Sequence, residues 1–258
     1  MSLLRILCLH GYTQNSISFT KKTAAFRRSV KDVADLVYVT APHVVPIPTL
    51  STPEEREEDE LENLGPEATP YGWWTGQTHY KGFEESLDQL RQVLEKQGPF
   101  DGILGFSQGA TMASLLQLLL ERPHLSNVMS GCKHPPFKFS ILVSGFEPKD
   151  EEKLAWYNGK YMVLKEQSRD SDDVNMDSDD DNKENVEPPH VKGVQGASMH
   201  IIGNTDVIIT PERSEALLKY YTHKKPVIIY HDGGHYMPSQ AANRHAYKAF
   251  VQSFQQSS

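Results

Sequence analysis

The chain has 258 residues, enough for one α/β domain or two smaller ones. Its formal charge of −8 is local: residues 166–187 hold ten acidic side chains against Arg169 and Lys183, and the remainder is formally neutral. That balance argues against a basic nucleic-acid surface and against attraction to an anionic membrane, and no run approaches the ~18 apolar residues of a spanning helix. Two cysteines, Cys8 and Cys132, make no disulfide framework, so a reducing compartment is expected, cytoplasmic or also nuclear.

The start, MSLLRILCLHGY, reads as a first strand rather than a signal segment, with Leu3 to Leu9 forming a continuous apolar run. Asn15 to Val30 has helical spacing. Ala34 to Thr40 is a second strand, stopped by Ala41-Pro42. Residues 42–80 lack a period, and within them Pro53 to Glu62 is an acidic, solvated patch. Lys81 to Gln97 is a helix with Phe83, Leu87, Leu90 and Leu94 on one stripe. Phe100 to Leu104 is the third strand, followed by an apolar helix from Ala110 to Leu120. Phe137 to Ser144, Ser198 to Gly203 and Val227 to His231 are further strands. Helices are expected at Pro211 to Tyr221 and Pro238 to Phe254. Strands alternating with helices imply a mostly parallel, doubly wound α/β sheet in a single domain spanning 1–258.

Residues 165–192 break this rhythm. They are acidic, low in complexity and nearly free of apolar side chains, and so are read as a disordered insertion within the domain. Ser178 before Asp179-Asp180-Asp181 resembles an acidophilic kinase site, and Lys183-Glu184-Asn185 matches a degradation-signal tripeptide. The insertion is thus a candidate contact for a kinase or regulatory partner.

Gly105-Phe106-Ser107-Gln108-Gly109 stands between a strand and a helix, the setting of a nucleophile elbow. A turn that tight needs small residues two before and two after the serine, and it aims the positive end of the next helix at the reacting centre. A serine hydroxyl needs a base within reach, and the base needs an orienting group. In the chain order nucleophile, acid, histidine, Asp206 follows the fifth strand and His235 the sixth. Groups beyond the carboxyl ends of parallel strands share one sheet edge, so Ser107, Asp206 and His235 are the candidate triad. Asp232 is the rival acid, but it lies only three residues from His235. His231 and His245 read as structural or exposed, and His10 as a loop-packing residue. The oxyanion donors are expected to be the backbone N–H groups of Gln108 and of Tyr12, with Gly11 permitting close approach. Neither cysteine sits in a motif with histidine and acid. No metal-ligand spacing and no dinucleotide glycine motif occurs, so no metal or cofactor is expected.

Tyr71-Gly72-Trp73-Trp74 places two large apolar faces in a loop. They read either as a substrate-pocket wall or as a satellite core under the loop. Tyr71, Trp73, Trp74, Phe146 and Met237 are the candidate substrate contacts.

With these pieces in view the chain resembles the fungal family of serine hydrolases, which includes an ovarian-cancer-associated animal homologue and polyketide-releasing thioesterases. The resemblance rests on LRILCLHGYTQN at 4–15, GWW at 72–74, GPFDGILGFSQGA at 98–110, FSILVSGF at 139–146, GNTD at 203–206 and GGHYMP at 233–238. It implies an α/β-hydrolase fold and a triad on Ser107, Asp206 and His235. The implied activity is cleavage of small-molecule esters or thioesters with an acyl chain. Two features depart from the family pattern: Tyr71 stands where relatives often have Arg, and the acidic insertion is unlike most members. An acyl-protein thioesterase or peptidase with the same triad, and a catalytically idle interaction protein, are the competing readings. The aromatics and the lack of a basic cluster before Lys81 point to an apolar pocket.

Overall fold

The computed structural model describes residues 2–46, 65–159 and 193–255. The acidic patch at Pro53 to Glu62 and the insertion at 165–192, with Ser178 and Lys183 to Asn185, lie outside these residues.

The strands are β1 (Leu4–Leu9), β2 (Ala34–Val39), β3 (His43–Val44), β4 (Tyr71–Gly72), β5 (Gly102–Phe106), β6 (Phe139–Val143), β7 (Ala197–Gly203) and β8 (Val227–His231). The helices are α1 (Ser16–Lys22), α2 (Ala24–Val30), α3 (Phe83–Gln97), α4 (Gln108–Glu121), α5 (Glu151–Tyr157), α6 (Pro211–Leu218) and α7 (Ala241–Gln252). Six strands form one parallel sheet in the order β2-β1-β5-β6-β7-β8. Strand order reverses at β1, so the crevice beyond the carboxyl ends of β1 and β5 is the switch point at which ligands bind in such sheets.

Alternation along the strands sorts the core into two layers. Ile6 and Cys8 face Phe19, Phe26, Tyr247 and Val251 from α1, α2 and α7. Leu7 and Leu9 face the layer of α3 and α4, which contains Leu87, Leu90, Leu115 and Leu116. Helix α4 is buried from Gln108 to Leu120, which explains why its apolar residues surround it instead of lining one stripe. Each buried leucine there contributes roughly 1.5–3 kcal/mol of transfer free energy.

The structure differs from the sequence pattern in several details. The helix expected from Asn15 to Val30 is two, broken at Thr23. The Thr23 hydroxyl reaches the Phe19 carbonyl at 2.8 Å and Tyr38 Oη at 2.7 Å, and such back-bonding favours a break. Strand β5 runs to Phe106, two residues further than expected, leaving Ser107 alone at the turn. The aperiodic stretch contains the antiparallel pair β3–β4. Helix α5 has no counterpart in the sequence reading, although Asp150 caps it by accepting from Lys153 N–H at 3.2 Å and two acidic residues open its first turn.

Candidate active site

Ser107 occupies a backbone conformation that few non-glycine residues adopt, φ 53° and ψ −120°. Such a conformation costs on the order of 1–3 kcal/mol and is held by its surroundings. Its N–H donates to the Val143 carbonyl at 2.8 Å, which ties the turn to β6. A Cβ on Gly105 would stand 2.3 Å from the Gly109 carbonyl oxygen, and one on Gly109 would stand 2.3 Å from the His10 carbonyl oxygen. Strand, turn and helix therefore pack backbone against backbone, and only glycine fits at either position.

Asp206 follows β7 and is buried. Its Oδ2 accepts from His235 Nδ1 at 2.6 Å and from the Ser144 hydroxyl at 3.0 Å. Its Oδ1 accepts the N–H groups of Ile208 and Ile209, both at 2.9 Å. Burial works to raise its pKa, but the His235 hydrogen bond and charge and these two N–H groups together hold it below the usual carboxylate value. Asp206 is thus an ionised acceptor, to which His235 donates through Nδ1. Asp232 is exposed and bonds Asn204 instead of His235. The ring of His235 packs 4.8 Å from that of Phe106, the neighbour of Ser107. Ser107 and His235 line one cavity, without a hydrogen bond between them among the described residues. Contacts of this kind commonly tighten when substrate binds.

Sequence reasoning missed Ser144. It directly follows β6 with φ 48°, like Ser107 and Thr13 a non-glycine residue at positive φ, and its hydroxyl shares the Asp206 oxygen that His235 uses. The signal available was a polar residue directly after a buried strand, at the same sheet edge as the other three.

His10 is the packing residue the sequence suggested. Its Nε2 accepts the Ala41 N–H at 2.9 Å and its Nδ1 donates to the Gly11 carbonyl at 2.7 Å. Burial pushes its pKa down to about 4 against that carbonyl contact. His231 is buried beside the Tyr236 ring, and His245 is exposed on α7. Cys8 is buried, with its thiol pKa raised by burial and by Asp35. Among the described residues no group of three or more His, Cys, Asp or Glu could hold a metal ion, and no helix is long and apolar enough to cross a membrane.

Two cavities meet at Tyr12, Ser107 and Ile208. The larger, about 680 Å³, also holds Phe19, Phe106, His235 and Met237. The smaller, about 440 Å³, is walled by Trp74, Tyr80 and Phe146, and Lys149 and Arg213 line it as well. Trp74 stacks on Tyr80 with ring centroids 4.3 Å apart. Trp74, Phe146 and Met237 thus line the cavities, whereas Tyr71 and Trp73 do not. Trp73 is fully buried, with its indole N–H donating to the His10 carbonyl at 2.8 Å, and Tyr71 sits in β4 with its N–H on Gln14. The sequence before Lys81 lacks a basic cluster; the cations come from the loop before α5 and from α6, far along the chain. The N–H groups of Tyr12 and Gln108 donate no hydrogen bond among the described residues. Gln108 is the first residue of α4, where such free donors occur.

A parallel doubly wound sheet, with a strained serine between a central strand and a buried helix and a histidine–carboxylate pair at the same edge, defines an α/β-hydrolase. Solved structures agree on the fold: SOBER1 from Arabidopsis thaliana has a TM-score of 0.56 at 14% identity, covering 98% of this chain and 99% of that one. Acyl-protein thioesterase 2 of Zea mays has a TM-score of 0.52 at 14% identity, covering 98% and 94%. More particularly, the chain belongs to the serine hydrolase family FSH1, whose model matches residues 1–247. It is 30% identical over 267 residues to the esterase OVCA2 of Danio rerio, covering 98% of each protein.

Proposed function

We propose that this enzyme cleaves carboxylic esters or thioesters with an apolar acyl chain through an acyl-Ser107 intermediate. The observation that carries the reading is the 2.6 Å bond from His235 Nδ1 to Asp206, beside a cavity that His235 shares with Ser107. The Ser107 oxygen attacks the carbonyl carbon while His235 Nε2 takes its proton. The N–H groups of Tyr12 and Gln108 receive the developing oxyanion, aided by the positive end of α4. The bond to the leaving oxygen or sulfur then breaks, and His235 returns the proton to that atom. Water adds to the acyl-enzyme by the same route, its proton passing through His235 back to Ser107 as the carboxylic acid departs. Asp206 holds the imidazole tautomer and stabilises the imidazolium. The aromatic walls of the smaller cavity favour an apolar chain.

The test is hydrolysis of p-nitrophenyl esters from acetate to palmitate by wild type and Ser107→Ala, with labelling by a fluorophosphonate probe. Turnover and labelling that both vanish in Ser107→Ala are expected. Labelling that persists in Ser107→Ala, or folded wild type with no serine-dependent turnover on any chain, overturns the reading.

A further inference from the structure

Resting on that reading, we infer that the smaller cavity receives the acyl chain and selects chains that end in an anionic group, above all a carboxylate, through Arg213.

The direction of the substrate follows from the proton. The leaving atom must collect its proton from His235, so the leaving group lies on the side where His235 stands. His235 lines only the larger cavity. The acyl chain, on the other side of Ser107, enters the smaller one.

That cavity is apolar in its walls and one-signed in its charge. Arg213 and Lys149 are its ionisable side chains besides Tyr12 and Tyr80, and no carboxylate lines it among the described residues. The acids closest in the chain bond elsewhere, Glu212 to Thr210. Glu147 accepts the Tyr220 hydroxyl at 2.6 Å, Asp150 accepts the N–H groups of Tyr80 and Lys153, and Glu215 accepts the Tyr230 hydroxyl at 2.8 Å. No ion pair joins Arg213 or Lys149 to a carboxylate among the described residues.

Arg213 is also held in place. Its guanidinium lies 4.9 Å over the Phe146 ring, and Nη1 donates to the Ile208 carbonyl at 3.0 Å. The Ile208 N–H is in turn fixed by Asp206. One loop thus sets both the histidine's acid partner and the cation at the cavity wall. A planar guanidinium with donors to spare is suited to a carboxylate, which it can grip through two parallel bonds. The stacked Trp74 and Tyr80 rings would carry the methylenes between the carbonyl and that carboxylate.

A pair of substrates of equal length tests this: p-nitrophenyl hexanoate and the p-nitrophenyl monoester of adipic acid, assayed at low salt. Wild type is expected to prefer the monoadipate by about tenfold in kcat/KM, mainly through KM, and to lose part of that preference in salt. Arg213→Gln is expected to lower the ratio of the two kcat/KM values by about tenfold, and Arg213→Lys by less, because an ammonium keeps the charge but not the fork. Lys149→Gln, at an exposed position, should lower the ratio by about twofold to threefold and guards against a folding defect at Arg213. A wild-type ratio at or below one, or one unmoved by Arg213→Gln whatever Lys149→Gln does, overturns the inference while leaving the hydrolase intact. Absence of Ser107-dependent turnover of either ester overturns both.

Discussion

Gln108 grips the backbone of the tryptophan pair from beside the nucleophile: its Oε1 accepts the Trp73 N–H at 2.9 Å, and its Nε2 donates to the Trp74 carbonyl at 2.8 Å. The residue proposed to offer its own N–H to the oxyanion therefore also anchors, through its side chain, the wall of the smaller cavity. Trp73 completes the clamp through its indole bond to His10.

Removing that grip should loosen the wall and the turn together. Gln108→Ala leaves a buried N–H and a buried carbonyl without partners, a cost of about 1–3 kcal/mol each where water does not replace them. A lower melting temperature and a KM raised about tenfold are expected from thermal unfolding and ester kinetics. Gln108→Glu should retain the contact to the Trp73 N–H but set an acceptor against the Trp74 carbonyl, so its KM should be at least as high. A Gln108→Ala enzyme with wild-type KM would show that the wall is held without the clamp.

Asp206 and Asp232 give opposite expectations. Asp206→Asn takes away the charge that stabilises the His235 imidazolium and can hold the wrong tautomer, so kcat should fall by about 10⁴. Asp232, exposed and away from His235, should tolerate Asn with less than about a threefold change. Comparable losses in the two variants would remove Asp206 from its role.

Ser144 is expected to act by positioning. Ser144→Ala deletes one donor to Asp206 Oδ2 and leaves the His235 bond. That contact is worth about 1.5–3 kcal/mol as a hydrogen bond to a charged group, so kcat should fall about tenfold to 150-fold with KM little changed. Ser144→Gly relieves the positive φ but lacks the hydroxyl, and it should lose activity similarly while gaining no stability beyond its backbone relief. Activity retained in both variants would assign Ser144 to the fold alone.

Two buried histidines predict the acid side of the stability curve. Burial lowers the pKa of His10 to about 4 and that of His200 to about 3. Both lie below the ~6.5 of an unfolded histidine, so the unfolded chain binds more protons between those limits. Their contribution is complete above about pH 6.5 and is lost as pH falls toward about 4 for His10 and about 3 for His200. The loss from His10 alone is about 3 kcal/mol once pH reaches its folded value. Urea midpoints should decline across this window and do so less steeply in His200→Gln. A flat profile from pH 7 to pH 4 would contradict the burial of both rings.

The backbone packing at the elbow predicts that Gly109→Ala fails. The added methyl would meet the His10 and Leu9 carbonyl oxygens at 2.3 and 2.4 Å, both of them backbone atoms that a side-chain rotation cannot move. Loss of soluble folded protein, or of several kcal/mol in chemical denaturation, is expected. A stable, active Gly109→Ala enzyme would mean that α4 can shift away from β1.

What the sequence determined by itself was what short-range rules control. Alternating strand and helix patterns led to the parallel architecture, with β8 matching from Val227 to His231. The requirement for small residues around Ser107 marked the elbow, because a turn of that tightness is set by its immediate neighbours. Chain order and strand ends brought Asp206 and His235 forward as partners. The tertiary structure decided what depends on contacts between distant residues. It separated Asp206 from Asp232, since only one carboxylate reaches the ring. It sent Trp73 to the core and Trp74 to a cavity, a choice between adjacent identical side chains made by the Gln108 and His10 contacts from elsewhere in the fold. It brought Ser144 to Asp206 across 62 positions and Arg213 to Phe146. Such pairings leave no periodic trace in the chain, because the cost of a buried charge or a free donor is settled by whatever the fold places beside it.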